Sequence, residues 1–550
     1  MGITVTPQGL RQSSLFCGRL SLPGLVCQTC ALFLILVGGG CDFAGLGAPA
    51  EPPEQTNVVN PRVALDGNGF AAVSYEEVTN RNRDESTIRV QRYSFADDQF
   101  RDAAGFTARR NLRHVLAADE SGRAIELFGE SNVLRSCQFQ SGLGWSCSDL
   151  PREPGNSAGY RPGSIAMDGA GRAVALDGSL GEYRLTPGNP WTVRRIFSTS
   201  VREIEERSLA YWSGGVAVAV WGDFQSNVNS VKSSRYLRVS DTWEPEITLS
   251  TIDPGPDAKP QIAMHRNGPN AAAIAVWRQL VGGSSYNIQA NHYLPGVGWQ
   301  GAQTLPGSTG NIQDDSVSIA MAGNGDVIVA WSDLASVLAS RFASGSFGPV
   351  QRVGSASAND GDGKMRIAMD GAGNAILIWS NGSPLLANRY VVGQGWQGAL
   401  EIGQHEGAAP TLPPQFDIGM DSAGRAMAVW QRSAAPFPGG RLGWHVFASG
   451  YTLSIDPTVL PLQRNGDSQR ATVSIARLGY TGPIDLQPFD CPAKVICVFD
   501  RSQIPGNENT AGLTFLTNLN DPALAGNYVV RVTGTGGGAT TEAFIEVQIQ

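Results

Sequence analysis

The sequence contains little charge and very little lysine. Of its 550 residues only 16% are Asp, Glu, Lys or Arg, and the lysines are four: Lys232, Lys259, Lys364 and Lys494. Soluble domains usually carry about 25% charged residues. The formal net charge is -8 at pH 7. This balance excludes the basic footprint of a nucleic-acid-binding protein and a polybasic membrane-binding patch.

Histidine is scarce, and the histidines show no metal-ligand spacing. The five are scattered along the chain: His114, His265, His292, His405 and His445. A zinc site needs about four convergent nitrogen or sulfur ligands, so we predict no metal site and no cofactor. His265 and His292 are interpreted as structural residues of the repeats described below.

No apolar run is long enough to span a membrane. The longest apolar core covers residues 31–37 and extends back to about Leu25, which is too short to cross ~30 Å of hydrocarbon. Arg11 and Arg19 precede it, and three glycines, 38–40, follow it. This order of a basic region, an apolar core and small residues is typical of a secretory signal.

Cys41 follows the three glycines directly. The segment resembles a bacterial lipoprotein signal, in which cleavage precedes a cysteine that is then lipidated; Gly38 stands where that pattern has a Leu-like residue. The resemblance implies a signal peptide at 1–40, a lipid on Cys41, and an anchor to a bacterial membrane (the outer membrane or the periplasmic face of the inner one). Residues 41–56, rich in Gly, Ala, Pro and Glu, predict a flexible tether. The alternative is an ordinary cleaved signal with Cys41 as a spare thiol.

Glycine is abundant, at 67 residues, and much of it lies in a repeat. Eight segments of the type "Ile-Ala-Met-Asp-Gly-Ala-Gly-Asn-Ala-Ile-Leu-Ile-Trp" recur at intervals of 44 to 57 residues. Each predicts a strand, a Gly-rich turn and a buried second strand. The residues at the turn position are Asp66, Asp119, Asp168, Trp212, His265, Ala322, Asp370 and Asp421.

Two further strands follow in most units, with a Gly-x-Gly-Trp-like turn between them. Ten of the twelve tryptophans obey the repeat; Trp212 and Trp444 do not. Four strands per ~50 residues is the unit of a β-propeller blade. The units resemble the Asp- and Trp-rich propeller repeats of bacterial surface proteins. We predict an all-β fold with a propeller at 57–451 of eight blades, with seven as the alternative.

The eighth unit stops early in the sequence. Tyr451 aligns with Tyr390 in the third strand, and no fourth strand follows. We therefore predict that residues near Thr56–Asn60 supply this strand and close the ring, which would remove an exposed edge.

Residues 452–550 break the repeat and contain evenly spaced short strands. The final "Gly-x-Tyr-x-x-x-Val-x-Gly-Thr" segment resembles the Ig-like β-sandwich modules of bacterial surface proteins, and about seven strands in ~100 residues suit such a sandwich. Beyond Cys41, four cysteines remain, in two close pairs: Cys137/Cys147 and Cys491/Cys497. In an exported chain, close pairs favour local disulfides.

Few residues suggest chemistry. The Gly155–Gly159 segment fits Gly-x-Ser-x-Gly, but prolines precede it where a nucleophile elbow requires a strand. Asp360 and Asp362 could offer oxygens to calcium, yet the loop lacks a bidentate acid. Asp177, Asp223 and Asp333 follow second strands and could form an acidic rim. The turn aspartates are interpreted as turn formers, and the tryptophans as blade packing rather than sugar-stacking platforms.

Three functions remain open. The first is a non-enzymatic, envelope-anchored binding or adhesion lipoprotein with no catalytic residues, whose ligand is an unknown envelope protein or glycan. The second is a propeller scaffold in an envelope protein complex. The third is a carbohydrate-active propeller enzyme, which would need a carboxylate pair ~5–9.5 Å apart.

Overall fold

The computed structural model describes residues 58–550, with gaps. The gaps are 81–84, 97, 110–113, 131–132, 153–161, 178–180, 196–206, 213–214, 226–227, 256–257, 265–271, 284, 313–315, 334, 357–364, 383, 405–414, 435–438, 448–449, 479–481, 507 and 537–538. The predicted signal, the tether and Cys41 lie outside the described residues. Among those described, no helix has the length and apolarity needed to cross a membrane.

Eight antiparallel sheets account for residues 58–447, one for each sequence unit. Blades 1 to 3 comprise β1 (Val58–Leu65), β2 (Phe70–Asn80), β3 (Glu85–Ser94), β4 (Gln99–Arg109); β5 (His114–Ala118), β6 (Ala124–Glu130), β7 (Val133–Gln140), β8 (Gly144–Asp149); β9 (Pro162–Met167), β10 (Ala173–Asp177), β11 (Gly181–Leu185) and β12 (Thr192–Arg195). Blades 4 and 5 comprise β13 (Arg207–Trp212), β14 (Val216–Gln225), β15 (Val228–Leu237), β16 (Thr242–Trp243), β17 (Ile247–Thr248); β18 (Gln261–Met264), β19 (Ala273–Gly282), β20 (Ser285–Leu294) and β21 (Gly298–Thr304). Blades 6 to 8 comprise β22 (Ser318–Met321), β23 (Val327–Ser332), β24 (Ser336–Ala343), β25 (Ser346–Phe347), β26 (Gln351–Ser355); β27 (Met365–Met369), β28 (Ala375–Ser380), β29 (Pro384–Val391), β30 (Gly395–Gln404); β31 (Phe416–Met420), β32 (Ala426–Ala434) and β33 (Gly439–Phe447).

The fold is an eight-bladed β-propeller, because the first strands of all eight sheets line one central channel. The second strands are buried on both faces; every residue of β28, for example, is buried. A strand buried on both faces must be a continuous apolar run, which explains "Ala-Ile-Leu-Ile-Trp". Within a blade, successive strands alternate in direction, so the turns after the first and third strands lie at the same end. We call this end of the ring the turn face.

The predicted closure of the ring by a fourth strand is wrong for Val58–Asn60. These residues belong to β1, in which Val58 and Val59 pair with β2 and lie opposite Glu77 and Glu76. Thr56 and Asn57 lie outside the described residues. Blade 8 therefore has three strands among the described residues, β31 to β33.

Among the described residues, apolar packing and a hydrogen bond join the first blade to the last. Val58 and Tyr75 of blade 1 form one apolar cluster with Met427, Val429 and Leu442 of blade 8. The amide of Asn60 also donates to Gln415 Oε1 at 2.6 Å. The first and last blades thus meet through a buried apolar face, as neighbouring blades do elsewhere in the ring.

A β-sandwich follows the ring. Its strands are β34 (Gly450–Asp456), β35 (Val459–Leu462), β36 (Ser468–Leu478), β37 (Ile484–Phe489), β38 (Val495–Phe499), β39 (Gln503–Ile504), β40 (Thr510–Thr517), β41 (Gly526–Gly536) and β42 (Ala539–Ile549). They form two sheets, β34-β36-β40-β38 and β35-β42-β41-β37-β39, around one apolar core.

The predicted alignment of Tyr451 with Tyr390 is also wrong. Tyr390 lies opposite Ala375 of blade 7, and the residue in the same position of blade 8 is Phe447, opposite Ala426. Tyr451 lies in β34, is buried in the sandwich core, and donates its hydroxyl to Gly534 O at 2.8 Å. The sandwich thus begins at Gly450 rather than at residue 452.

Candidate functional site

A central channel runs between the inner strands of the ring and has a volume of about 400 Å³. All eight inner strands contribute to its wall, and Asp119, Glu120, Asp168 and Gly169 place one of its mouths on the turn face. A channel of this size is within the range of small-molecule and peptide sites.

Small residues let the inner strands approach one another around the channel. Two positions before each turn residue, seven blades have alanine and blade 8 has Gly419. A Cβ on Gly419 would lie 2.7 Å from Leu65 Cδ1 of blade 1. Side chains at this position therefore face the next blade, and the narrow spacing selects small ones. The alanines are Ala64, Ala117, Ala166, Ala210, Ala263, Ala320 and Ala368.

Polar residues four positions before the turn bridge neighbouring blades. Ser208 Oγ accepts from the amide of Ile262 in the next blade at 3.2 Å, and Ser318 Oγ accepts from Ile367 at 3.2 Å. Asp417 Oδ2 accepts from the amide of Val63 at 3.2 Å and so joins blade 8 to blade 1. An inner strand has a free edge at the channel, and its buried amides need acceptors. The sequence carries this signal, but the prediction missed it.

The turn aspartates hold their own turns, as expected. Asp370 Oδ1 accepts from the amides of Ala372, Gly373 and Asn374 at 2.8 to 2.9 Å, while Oδ2 accepts from Asn374 Nδ2 at 2.7 Å. Burial raises the pKa of the Asp370 carboxyl. In blade 8, Asp421 binds the amides at i+2 and i+4 and pairs with Arg425.

The three aspartates weighed as an acidic rim are each engaged within their own blade. Asp177 accepts from the Gly181 amide at 2.7 Å and from the Tyr183 hydroxyl at 3.2 Å. Asp223 pairs with Lys232 at 2.6 Å, and Asp333 accepts from two amides of its own turn. In the part of the chain that the structure describes, no three His, Cys, Asp or Glu side chains come close enough to hold a metal ion.

The second-strand tryptophans pack between blades. Their exposed fractions are 0 to 3%, so they offer no face to a sugar. Two turn tryptophans, Trp299 and Trp396, are half-buried and pack edge-on against a tyrosine of the third strand, with Tyr293–Trp299 at 5.5 Å and Tyr390–Trp396 at 5.4 Å. The buried tryptophans are Trp221, Trp277, Trp331, Trp379 and Trp430.

Cations of the third strands contact aromatic rings of the next blade. Arg235 of blade 4 lies 4.5 Å from the ring of Tyr293 in blade 5, and Arg92 of blade 1 lies 4.1 Å from Phe139 in blade 2. These two arginine contacts are cation–π interactions, which stabilise by roughly 0.5–2 kcal/mol each. His292 of blade 5 instead packs edge-on against the ring of Phe342 in blade 6 at 5.0 Å, and burial lowers its pKa. His292 is thus structural, as expected.

A buried polar cluster at the junction of blades 1 and 2 escaped prediction. His114 Nδ1 lies 2.7 Å from Glu126 Oε1, and Nε2 lies 2.6 Å from the carbonyl oxygen of Asn60. Both side chains are fully buried. Ser74 Oγ is 3.4 Å from Nδ1, which is a long contact. Since Nε2 faces a backbone carbonyl, the ring cannot act as a base toward substrate, and the cluster is structural.

The two cysteine pairs each form a disulfide. Cys137 and Cys147 lie opposite each other on β7 and β8, and Cys491 is joined to Cys497 in the sandwich. Several residues singled out in the sequence lie outside the described residues: Cys41, Gly155–Gly159, His265, Asp360, Asp362 and His405.

No family model and no curated protein matches the chain. Among solved structures it is similar to YCF48 bound to D1 peptide, with 15% identity over 61% of this chain and 90% of that chain and a TM-score of 0.35. It is similar to a puromycin hydrolase mutant complexed with PGG, with 12% identity over 68% and 58% of the two chains and a TM-score of 0.35. It is also similar to Chaetomium thermophilum Sqt1 bound to the N-terminus of ribosomal protein L10, with 10% identity, 68% and 94% coverage and a TM-score of 0.41. These similarities are too low to indicate a shared ligand or activity.

Proposed function

We propose that this protein is a non-enzymatic binding protein of the bacterial cell envelope, held by a lipid on Cys41, that binds another protein on the turn face of its ring. The tether of residues 41–56 would separate the ring from the membrane. The propeller would then be the domain that recognises the partner, and it would have no catalytic role.

The proposal rests on one observation: the residues that recur from blade to blade make contacts within the ring. The turn aspartates bind their own amides, the tryptophans fill the spaces between blades, and the polar residues of the inner strands cap the next blade. Recognition must then depend on residues that differ from blade to blade. Such residues lie in loops placed on a rigid frame.

The turns after the third strands supply such residues. Their tips are apolar and exposed in four blades: Leu143 by 78%, Val239 by 98%, Val297 by 72% and Val392 by 42%. All four lie on the turn face, and the Val392 amide is fixed by Asn374 Oδ1 of the first turn at 3.0 Å. Apolar tips on fixed turns around a channel mouth suit protein recognition better than binding of a charged ligand.

The test is a crosslinked pull-down of the tagged full-length protein from native envelopes. We expect a stoichiometric protein partner, which is lost when all four tips are changed (Leu143→Ser, Val239→Ser, Val297→Ser, Val392→Ser). Because the tips are exposed, the ring should fold normally. The matched control replaces two equally exposed leucines of the sandwich, Leu519→Ser and Leu524→Ser, and should retain the partner.

Three outcomes would contradict parts of the proposal. Membrane fractionation of a Cys41→Ala protein like that of the unsubstituted protein would refute the lipid anchor. Recovery of glycan instead of protein, followed by binding on a glycan array, would refute a protein ligand. Turnover of a glycan by the purified protein would refute the non-enzymatic assignment.

A further inference from the structure

The inner strands direct backbone hydrogen-bonding groups toward the central channel. In blade 7 the amide of Asp370 donates to Asn374 O at 3.0 Å. Hydrogen-bonded and non-hydrogen-bonded residues alternate along an antiparallel pair, so Ile367 and Met369 point their N–H and C=O groups away from β28. Both residues line the channel. The same turn bond is present in blades 1, 2, 3, 6 and 8, so backbone groups contribute to the channel wall on several sides.

Side chains cap one level of these amides and not the next. Three positions before the turn, the amide of Ile367 donates to Ser318 Oγ of the preceding blade at 3.2 Å. One position before the turn are Leu65, Met369 and Met420, and no side chain of the described residues caps their amides. We call these three N–H groups the upper amides. A backbone amide that is removed from water without a partner costs about 1–3 kcal/mol, so acceptors inside the channel must serve this level.

The charged residues that line the channel all lie at its mouth on the turn face. They are Asp119, Glu120 and Asp168. Asp168 pairs with Arg172 at 2.6 Å, and Asp119 Oδ1 accepts from amides of its own turn. Deeper in the channel, the described wall residues carry no formal charge.

This wall selects ligands by their polarity. A charged ligand inside the channel would lose its hydration without gaining an opposite charge, and an apolar ligand would leave the amides and carbonyls unpaired. The wall therefore suits a neutral ligand that both donates and accepts hydrogen bonds. Hydroxyl groups do both: they donate to carbonyl oxygens and accept from amides.

We propose that the central channel binds a neutral mono- or disaccharide. A sugar ring carries hydroxyl groups around its whole rim, as the inner strands surround the channel axis, whereas an extended peptide directs its backbone groups to two opposite sides. The channel volume of about 400 Å³ lies within the ~300–1,000 Å³ of small-molecule sites. This site is additional to protein recognition on the turn face and does not depend on it.

The first experiment is a calorimetric titration of the full-length protein with glucose, galactose, mannose and maltose. We expect saturable binding of at least one of them. The 2-amino and uronic acid forms of the bound sugar keep its ring but carry a charge, and they should bind at least about tenfold more weakly, which corresponds to about 1.4 kcal/mol. Saturable binding of none of the four sugars would overturn the proposal. Equal or tighter binding of a charged form would overturn the neutral class, and tighter binding of N-acetyltriglycine amide would overturn it in favour of a peptide.

The second experiment locates the bound sugar. Ala118 lines the channel and is half-buried, at the position where blade 7 has the larger Met369, so a cysteine fits there. The sugar should slow the reaction of the Ala118→Cys protein with methyl methanethiosulfonate. Val392→Cys, at a tip of the turn face, is the matched control and should react at an unchanged rate. The unsubstituted protein gives the background rate of its own thiols.

The outcomes separate this site from the proposed function. Tryptophan fluorescence should show that both cysteine variants are folded. Protection of both cysteines, or of neither, while the sugar binds would overturn the channel as its site. If no sugar binds while the turn-face variant still loses its protein partner, the channel proposal falls and the binding function stands.

Discussion

The buried His114–Glu126 pair provides the sharpest test of how the ring is held together. Glu126 occupies a second-strand position where every other blade has a small or branched apolar residue; in blade 6 it is Val329. Five positions before the turn, where blade 2 has His114, blade 6 has Val317. Val317 and Val329 belong to one apolar cluster. At these two positions blade 6 has an apolar pair and blade 2 has a buried, hydrogen-bonded polar pair.

Removing one partner should cost much more than removing both. Either His114→Val or Glu126→Val leaves a fully buried polar group without its 2.7 Å partner, and such losses typically lower the free energy of unfolding by about 3–5 kcal/mol. The double variant His114→Val, Glu126→Val reproduces the blade 6 pair. It leaves the Asn60 carbonyl without its donor, at a cost of about 1–3 kcal/mol. We therefore expect the double variant to be more stable than the sum of the single effects by at least ~3 kcal/mol.

The assay is urea unfolding followed by tryptophan fluorescence. All twelve tryptophans lie between residues 145 and 444, so the signal reports the ring and not the sandwich. A matched control is Val317→Ala, Val329→Ala in blade 6, where both residues are apolar and neither substitution leaves a buried polar group without its partner. Additive single effects, or single effects under about 1 kcal/mol, would refute the reasoning that the two side chains form a coupled buried pair.

Three further outcomes follow from the blade contacts. Asp421→Ala should lower the free energy of unfolding by about 2–4 kcal/mol, because the turn amides and Arg425 lose their acceptor. Asp421→Asn should lower it less, because the amide Oδ1 still accepts from the turn amides. Equal losses in urea unfolding would contradict this role. Gly403→Val should destabilise by about 1–3 kcal/mol, because a Cβ there would lie 2.2 Å from Trp430 Cζ2; a red-shifted tryptophan emission of the native protein should accompany the loss. Burial lowers the pKa of His445 in the folded protein. The unfolded chain therefore binds a proton at this residue more tightly than the folded protein does. As a result, the free energy of unfolding falls as the pH is lowered below about 6.5, the ordinary pKa of histidine. The His445→Asn protein carries the residue that blade 7 has at this position, Asn388. Its free energy of unfolding should differ less between pH 7.5 and pH 5 than that of the unsubstituted protein; an unchanged difference would refute the assignment.

Much of the fold was predictable because its determinants are local and repeated. The alternation in "Ile-Ala-Met", the aspartate of the turn and the apolar run ending in tryptophan each depend on residues within about fifteen positions of one another. Local patterns of this kind set strand type, turn type and the buried face. Repetition then fixed the number of blades, since eight copies of one unit give eight sheets.

The errors occurred where local patterns are ambiguous. "Tyr-Thr-Leu-Ser-Ile" alternates and could extend blade 8 or begin the sandwich. The structure assigns it to the sandwich because Tyr451 reaches Gly534, a residue 83 positions away. The predicted closing strand is wrong for Val58–Asn60 for a related reason. Val58 belongs to the first strand of blade 1, and alternation alone does not say which neighbour a strand pairs with.

The sequence by itself determined the all-β class, the eight units, the structural role of the turn aspartates and the placement of the tryptophans. Only the tertiary structure decided which side chains join the first and last blades and where His114 meets Glu126. The reason is distance along the chain. The amide of Asn60 donates to Gln415 across 355 residues, and no periodic pattern specifies such a pair, whereas the turn that Asp370 holds is complete within five residues.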